Sequence, residues 1–438
     1  MSKIRARLAA AGVAIAGLSA AVAGSMLTSA HATSVVGTFR YAGANRFDTA
    51  KLIATYKQGS SFAFGTPTQA VLASGENYPD ALAANFLAGN YAAPIFLTTK
   101  ASLSPEALSG LSALGVKQVT IVGGTAAVSS SVDMSLTSAG IVPTRVAGAN
   151  RDATAAQIAQ APGTTVGTYG ANGLTAILAA DNDAHYVDAL SAGPLAYAGK
   201  LPILLTGTGT LSPQAQSAIG ALKIKHVIIV GGVGAISASV ETAVQGLGAS
   251  TERLAGGNRQ QTAIAIAGAE KSVLGFPGNQ IDVARGDNYP DALAGGPLSG
   301  LLKASILLTN TPTDLSSDTA AYFTNNNQTV NEVFVFGGTA AVSDAVLQQA
   351  VGNSLCNGGA PGSTTPSSST SSSSSTPSTS STSSTSSTSS TSSTSSTSST
   401  TLAPCSPTTT SSPASSTSSS TSSPSTSSTS TTTTTKAP

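Results

Sequence analysis

The sequence predicts an α/β protein built of three tandem units with largely parallel sheets, and three observations predict it. One order of four landmarks occurs three times along the 438 residues. Within each copy, short apolar runs alternate with longer stretches of helical periodicity. Runs such as Val227-Ile228-Ile229-Val230 are continuously apolar, as a strand covered by helices on both faces requires.

The first landmark is Arg40-Tyr41-Ala42-Gly43-Ala44-Asn45-Arg46, repeated as Arg145-Val146-Ala147-Gly148-Ala149-Asn150-Arg151 and Arg253-Leu254-Ala255-Gly256-Gly257-Asn258-Arg259. The second is Tyr78-Pro79-Asp80-Ala81-Leu82, with Tyr186-Val187-Asp188-Ala189-Leu190 and Tyr289-Pro290-Asp291-Ala292-Leu293. The third is an apolar trio followed by Thr: Ile95-Phe96-Leu97, Ile203-Leu204-Leu205 and Ile306-Leu307-Leu308. The fourth is VTIVGGTAAVS from Val119, VIIVGGVGAIS from Val227 and VFVFGGTAAVS from Val333.

In the first copy these patterns place strands near 70–74, 94–98, 118–122 and 141–146, the last at a sheet edge because Pro143 lacks an amide donor. Helices fall near 48–57, 80–90, 105–114 and 129–137. Asp48, Asp80, Ser104 and Ser129 stand at the expected N-caps, with Pro105 in a first turn. The repeats divide as 37–140, 141–248 and 249–352, each of ordinary domain size. Such units form either a closed pseudo-threefold cluster or a row.

The ends read differently. Lys3, Arg5 and Arg7 precede an apolar stretch, and Ala30-His31-Ala32 fits a cleavage site, so residues 1–32 read as an export signal rather than a retained membrane span. Residues 363–438 are almost wholly Ser, Thr and Pro and are expected to be a disordered stalk, either O-glycosylated or unmodified. In an exported chain, Cys356 and Cys405 are expected to form a disulfide. Repeats and tail together are expected to take up the mature chain, leaving no separate effector domain.

With a net charge of +1 and 9% charged residues, the composition gives no electrostatic argument for nucleic acid or an acidic membrane face. The glycine pairs Gly123-Gly124, Gly231-Gly232 and Gly337-Gly338 end strands; they permit a tight turn or cradle an anion, and neither a Walker nor a dinucleotide fingerprint accompanies them. Arg46, Arg151 and Arg259 suit phosphate or carboxylate recognition, or a structural ion pair. Asp80, Asp188 and Asp291 read as caps before catalysts. Glu76 and Asp287 precede two of them by four residues, but Ala184 stands at that spacing in the second copy. His31, His185 and His226 are the only histidines, so no repeated triad, metal site or cofactor site is assembled. The apolar trios read, on pattern alone, as buried strands.

Together the landmarks resemble the cell wall-binding repeat 2 family of Gram-positive surface proteins, over residues 37–352. The resemblance implies Toprim-like, more broadly Rossmann-like, domains grouped in threes. It also implies non-covalent anchoring to the wall through an anionic secondary glycopolymer. It makes the Ile-Leu-Leu trio a binding element, carrying over to Ile203, Leu204, Leu205, Ile306, Leu307 and Leu308, and to Ile95, Phe96 and Leu97 with Phe96 a departure. Val187 and Ser305 depart likewise from Pro in their sister copies, and unequal sites are expected. The expected protein is thus a secreted, non-catalytic wall-surface protein. Its rivals are a wall hydrolase with a site between repeats and a purely structural base for the tail.

Overall fold

The computed structural model describes residues 36–355; the expected signal, the Ser/Thr tail and the Cys356–Cys405 pairing lie outside the described residues. A first strand, β1 (Gly37–Tyr41), precedes the first unit. That unit contains α1 (Arg46–Ala54), a small hairpin of β2 (Lys57–Gln58) and β3 (Ser61–Phe62), β4 (Gln69–Ser74), α2 (Pro79–Tyr91) and β5 (Ile95–Thr98). It continues through α3 (Pro105–Leu114), β6 (Gln118–Val122), α4 (Ser130–Ser138) and β7 (Val142–Val146).

The second unit runs α5 (Arg151–Ala159), β8 (Thr175–Ala180), α6 (Tyr186–Leu190), α7 (Gly193–Gly199) and β9 (Ile203–Thr206). After these come α8 (Pro213–Ala221), β10 (His226–Val230), α9 (Ala238–Gly246) and β11 (Ser250–Leu254). The third runs α10 (Arg259–Leu274), β12 (Gln280–Arg285), α11 (Pro290–Leu302), β13 (Ser305–Thr309), α12 (Ser317–Asn325), β14 (Glu332–Phe336) and α13 (Asp344–Leu355).

Each unit has a four-stranded parallel sheet of one topology. The orders are β5-β4-β6-β7, β9-β8-β10-β11 and β13-β12-β14-β1. The strand that carries the first Arg of each repeat is therefore the edge strand of the preceding unit's sheet. In the third sheet this place is filled by β1, which pairs Gly37–Tyr41 with Glu332–Phe336. Pro143 sits on the outermost strand of its sheet, where its missing amide costs no ladder bond.

The three units close on one another. Helices α2, α7 and α11 pack mutually at the centre, while α11 covers α1 and β5, α2 covers α5 and β9, and α7 packs against α10. Their inner faces share one buried cluster spanning all three units, and the first and second units each keep a separate outer core. This is the closed pseudo-threefold cluster rather than the row.

Four expected caps differ: Asp48, Asp80, Asp188 and Asp291, the last two lying inside the first turns of α6 and α11 behind His185 and Tyr289. Asn45, not Asp48, caps α1: its backbone is extended and its side chain accepts from the amides of Phe47 and Asp48 at 2.9 Å. Asp80 lies inside the first turn of α2, whose preceding Tyr78 makes no side-chain cap. Ser104 and Ser129 do cap their helices. The β2–β3 hairpin was not foreseen, because two-residue strands carry no apolar period.

Candidate anion site at the arginine–tyrosine seams

The repeated Ala-Gly-x-Asn-Arg segment has a local reason at each position. The Asn caps the helix, and the preceding glycine lies so close to the helix's first turn that a Cβ on Gly43 would stand 2.5 Å from the backbone of Asp48 and Thr49. The leading arginine, on the edge strand, is a clamp. Arg40 donates to the carbonyls of Gly337 (2.9 Å) and Val342 (2.7 Å) and pairs with Asp344. Arg145 likewise reaches Gly123 O and Asp133, and Arg253 reaches Gly231 O and Glu241.

The glycine pairs are turns. Gly123, Gly231 and Gly337 have φ of 101°, 100° and 106°, and each lies where a Cβ would meet the carboxylate of Asp80, Asp188 or Asp291 of the same unit. The three recurring acids are thus enclosed against their own turns, and burial raises each pKa, that of Asp291 to about 6. Thr154 and Thr262 of the following units hydrogen-bond Asp80 and Asp188, tying neighbouring units together.

The second arginine begins each first helix and turns toward the carboxyl ends of the parallel strands, where ligands of open α/β sheets bind. Arg46 donates to Gly75 O at 2.6 Å, and its guanidinium lies 5.8 Å from the Tyr289 ring centre, with Tyr289 Oη 3.4 Å from Nη1. Arg151 bonds Asp181 O and Tyr78 Oη (3.1 Å) and lies 5.5 Å from the Tyr78 ring centre. Arg259 bonds Gly286 O, and its charge acts on Tyr186. First-unit Arg thus meets third-unit Tyr, second meets first, and the third unit's arginine acts on the second unit's tyrosine through its charge.

The three tyrosines converge. Tyr78 and Tyr186 stack with centroids 4.1 Å apart and planes at 21°, and Tyr289 lies 5.7 and 6.1 Å from them. A ring of cations, phenols and aromatic edges therefore surrounds the central axis, suited to an anion or a sugar ring bearing one. These tyrosines were visible in the sequence as part of a landmark but not as a site. Their signal is recurrence in phase in a chain with only nine tyrosines.

The apolar trios are placed elsewhere. Ile95, Phe96, Leu97, Ile203, Leu204, Leu205, Ile306, Leu307 and Leu308 are all at most 1% exposed, on the edge strands β5, β9 and β13 beneath the helices. In the first two units the flanking residues of the trio face the shared inner cluster, and Phe96 or Leu204 faces the unit's own outer core, as strand alternation dictates. The arginines bond the carbonyls of Gly75, Asp181 and Gly286, and the trios lie buried beneath, Leu308 flanking the same Gly286 that Arg259 bonds.

A cavity of about 410 Å³ opens beside Arg151, lined by Asn150, Asp152, Asp181, Asn182 and Asp183. Burial and the neighbouring Asp181 push Asp152 up to about 6. By strand register Asp181 corresponds to Gly75 and Gly286, whose following tyrosines come three residues later, whereas Tyr186 comes five later. The mismatch at Ala184 is thus a two-residue loop extension. Among the described residues no group of His, Cys, Asp and Glu is arranged to hold a metal, and no helix is long and apolar enough to cross a membrane.

The model of cell wall binding domain 2 matches residues 40–133, 145–241 and 253–347. The chain belongs to the cell wall binding domain 2 family. It is similar to the N-acetylmuramoyl-L-alanine amidase LytC of Bacillus subtilis, 33% identical over 71% of this chain and 57% of that protein. It is also similar to the amidase enhancer of the same organism, 27% identical over 63% of this chain and 35% of that protein. The chain thus spans about half or less of these relatives. Among solved structures, Cwp8 from Clostridium difficile matches with a TM-score of 0.60 and 26% identity, covering 73% of this chain and 52% of that one. Cwp6 from the same organism matches in fold, with a TM-score of 0.63 at 24% identity over 75% of this chain and 49% of that one.

Proposed function

We propose that this chain is an exported protein that attaches non-covalently to the bacterial wall by holding an anionic secondary glycopolymer at its arginine–tyrosine seams, without catalysing a reaction on it. Membership of a wall-binding family supplies the setting, and the cyclic Arg46–Tyr289, Arg151–Tyr78 and Arg259–Tyr186 arrangement carries the reading. Three weak sites on one rigid cluster gain avidity on a repeating polymer without any tight single contact. The buried trios act through the fold: they seat the edge strand and the helix from which each arginine projects. The test is retention of the mature chain on purified walls with and without their secondary polymer; retention only on intact walls is expected, and equal retention on both would refute the proposal.

A hydrolase is the second reading, favoured by the amidase relative. Its best carboxylates, Asp80, Asp188 and Asp291, are each enclosed against a separate glycine turn rather than paired across a cleft. Wall zymography of the wild type and the three Asp→Asn variants decides it. No clearing is expected, and clearing that depends on these residues contradicts the binding-only reading.

A further inference from the structure

The three seams are alike in their arginine and unlike in what faces it. Around Arg46 and Arg259, among the described residues, no carboxylate lies within ion-pair distance: Arg46 holds the Gly75 carbonyl and the Tyr289 phenol, whereas Arg259 holds the Gly286 carbonyl, with Tyr186 and Asp287 within reach of its charge only. At Arg151 the two-residue extension of the loop delivers Asp183. Its carboxylate accepts the Tyr78 hydroxyl hydrogen bond and stands 3.6 Å from the Arg151 guanidinium. The same Tyr78 hydroxyl lies 3.1 Å from Arg151, so acid, phenol and guanidinium form one closed triangle. The Asp183 side chain is 83% exposed, so nothing in the core holds it there except these two polar partners.

We propose that Asp183 is a built-in stand-in for the ligand: its carboxylate fills the anion position of the Arg151–Tyr78 seam, leaving two open seams, at Arg46 and Arg259, and one that opens only when Asp183 is displaced. This rests on the anion-binding reading above and adds which sites act. The group recognised is a carboxylate or phosphodiester on a sugar polymer, since either replaces an aspartate in the same guanidinium and phenol contacts. An exposed ion pair is worth little, so a multivalent polymer displaces it at modest cost.

The test measures equilibrium binding of the mature chain to two probes, poly(glycerol phosphate) and a polyglucuronate, which separate the phosphate from the carboxylate source. Asp183→Asn and Asp183→Ala are expected to tighten binding of the preferred probe about threefold or more, with unchanged melting temperature. In the wild-type background, Arg46→Gln and Arg259→Gln each weaken binding about fivefold or more, whereas Arg151→Gln changes it less than about twofold. In the Asp183→Asn background, Arg151→Gln removes the gain. Binding that is unchanged or weaker on loss of Asp183, or an Arg151→Gln loss equal to that of Arg46→Gln in the wild type, overturns the proposal while leaving wall attachment standing. A wild type that binds neither probe overturns the anion-binding reading itself.

Discussion

Phe96 and Gly110 fill in the first unit the volume that Leu204 and Ala218 fill in the second. A Cβ on Gly110 would run into the Phe96 ring, whereas Ala218 is buried in one core with the smaller Leu204. Gly110→Ala is therefore expected to cost about 1–3 kcal/mol by overpacking, and adding Phe96→Leu to recover most of it. Urea unfolding of the two single variants and the double variant reads this, and strictly additive losses would contradict it. A second residue-scale feature is Asp282, fully buried on β12 where the sister strands carry Val71 and Ile177. It is held by Gln280 and Ser299, and burial pushes its pKa to about 7, with Glu332 adding to the rise. Glu270, also fully buried, is raised too, chiefly by burial and further by Asp282, and Tyr41 faces the same acid. The folded form binds more protons than the unfolded chain between the ordinary carboxylate range, about 4, and about 7. Stability is full below that window, falls as pH rises through it and levels off above. The urea midpoint should be higher at pH 5 than at pH 8, and Asp282→Asn should flatten the difference; an unchanged slope in that variant would count against the assignment.

At the scale of elements, β1 decides the architecture. It completes the third sheet against β14, fastened by Arg40 and by an aromatic cluster of Phe39, Tyr41, Tyr56, Phe334 and Phe336. Deleting residues 37–41 leaves β14 an unpaired edge and removes one link between the first and last units, leaving the packing of α11 on α1, α2 and β5. Hydrogen exchange of that variant should speed up across β12–β14 while β8–β11 stay protected; uniform acceleration would mean that β1 supports the whole cluster equally. The repeats, their strands and most helices were legible in the sequence because apolar runs and Ser-Pro starts encode them locally. What the sequence hid is which sheet each edge strand joins. Arg145 opens a repeat in sequence but clamps the turn of the preceding unit in space, and no local period records that transfer. The site was half legible for the same reason. Arg46, Arg151 and Arg259 stood out as repeated cations, but their tyrosine partners lie 243 residues away for Arg46 and 73 for Arg151. Burial of the trios followed from their pattern, and the binding role that the family resemblance implies for them is assigned, in the proposed function, to an indirect effect through the edge strand.

For the whole molecule, the threefold closure sets the three arginines at equivalent seams between units, and the proposed function makes polymer binding a property of the cluster rather than of a single repeat. The proposed function separates contact from support, assigning the ligand to the arginines and leaving the trios to hold the strands and helices that present them. Leu204→Ala, buried and 1% exposed, should cost about 2–5 kcal/mol of stability yet leave wall retention near normal while the protein stays folded. The most direct measurement is wall retention of the folded triple variant Arg46→Gln/Arg151→Gln/Arg259→Gln beside the wild type. The triple variant is expected to keep its secondary structure and be lost to the supernatant; a triple variant retained as well as the wild type would rule out the arginines as the ligand contacts.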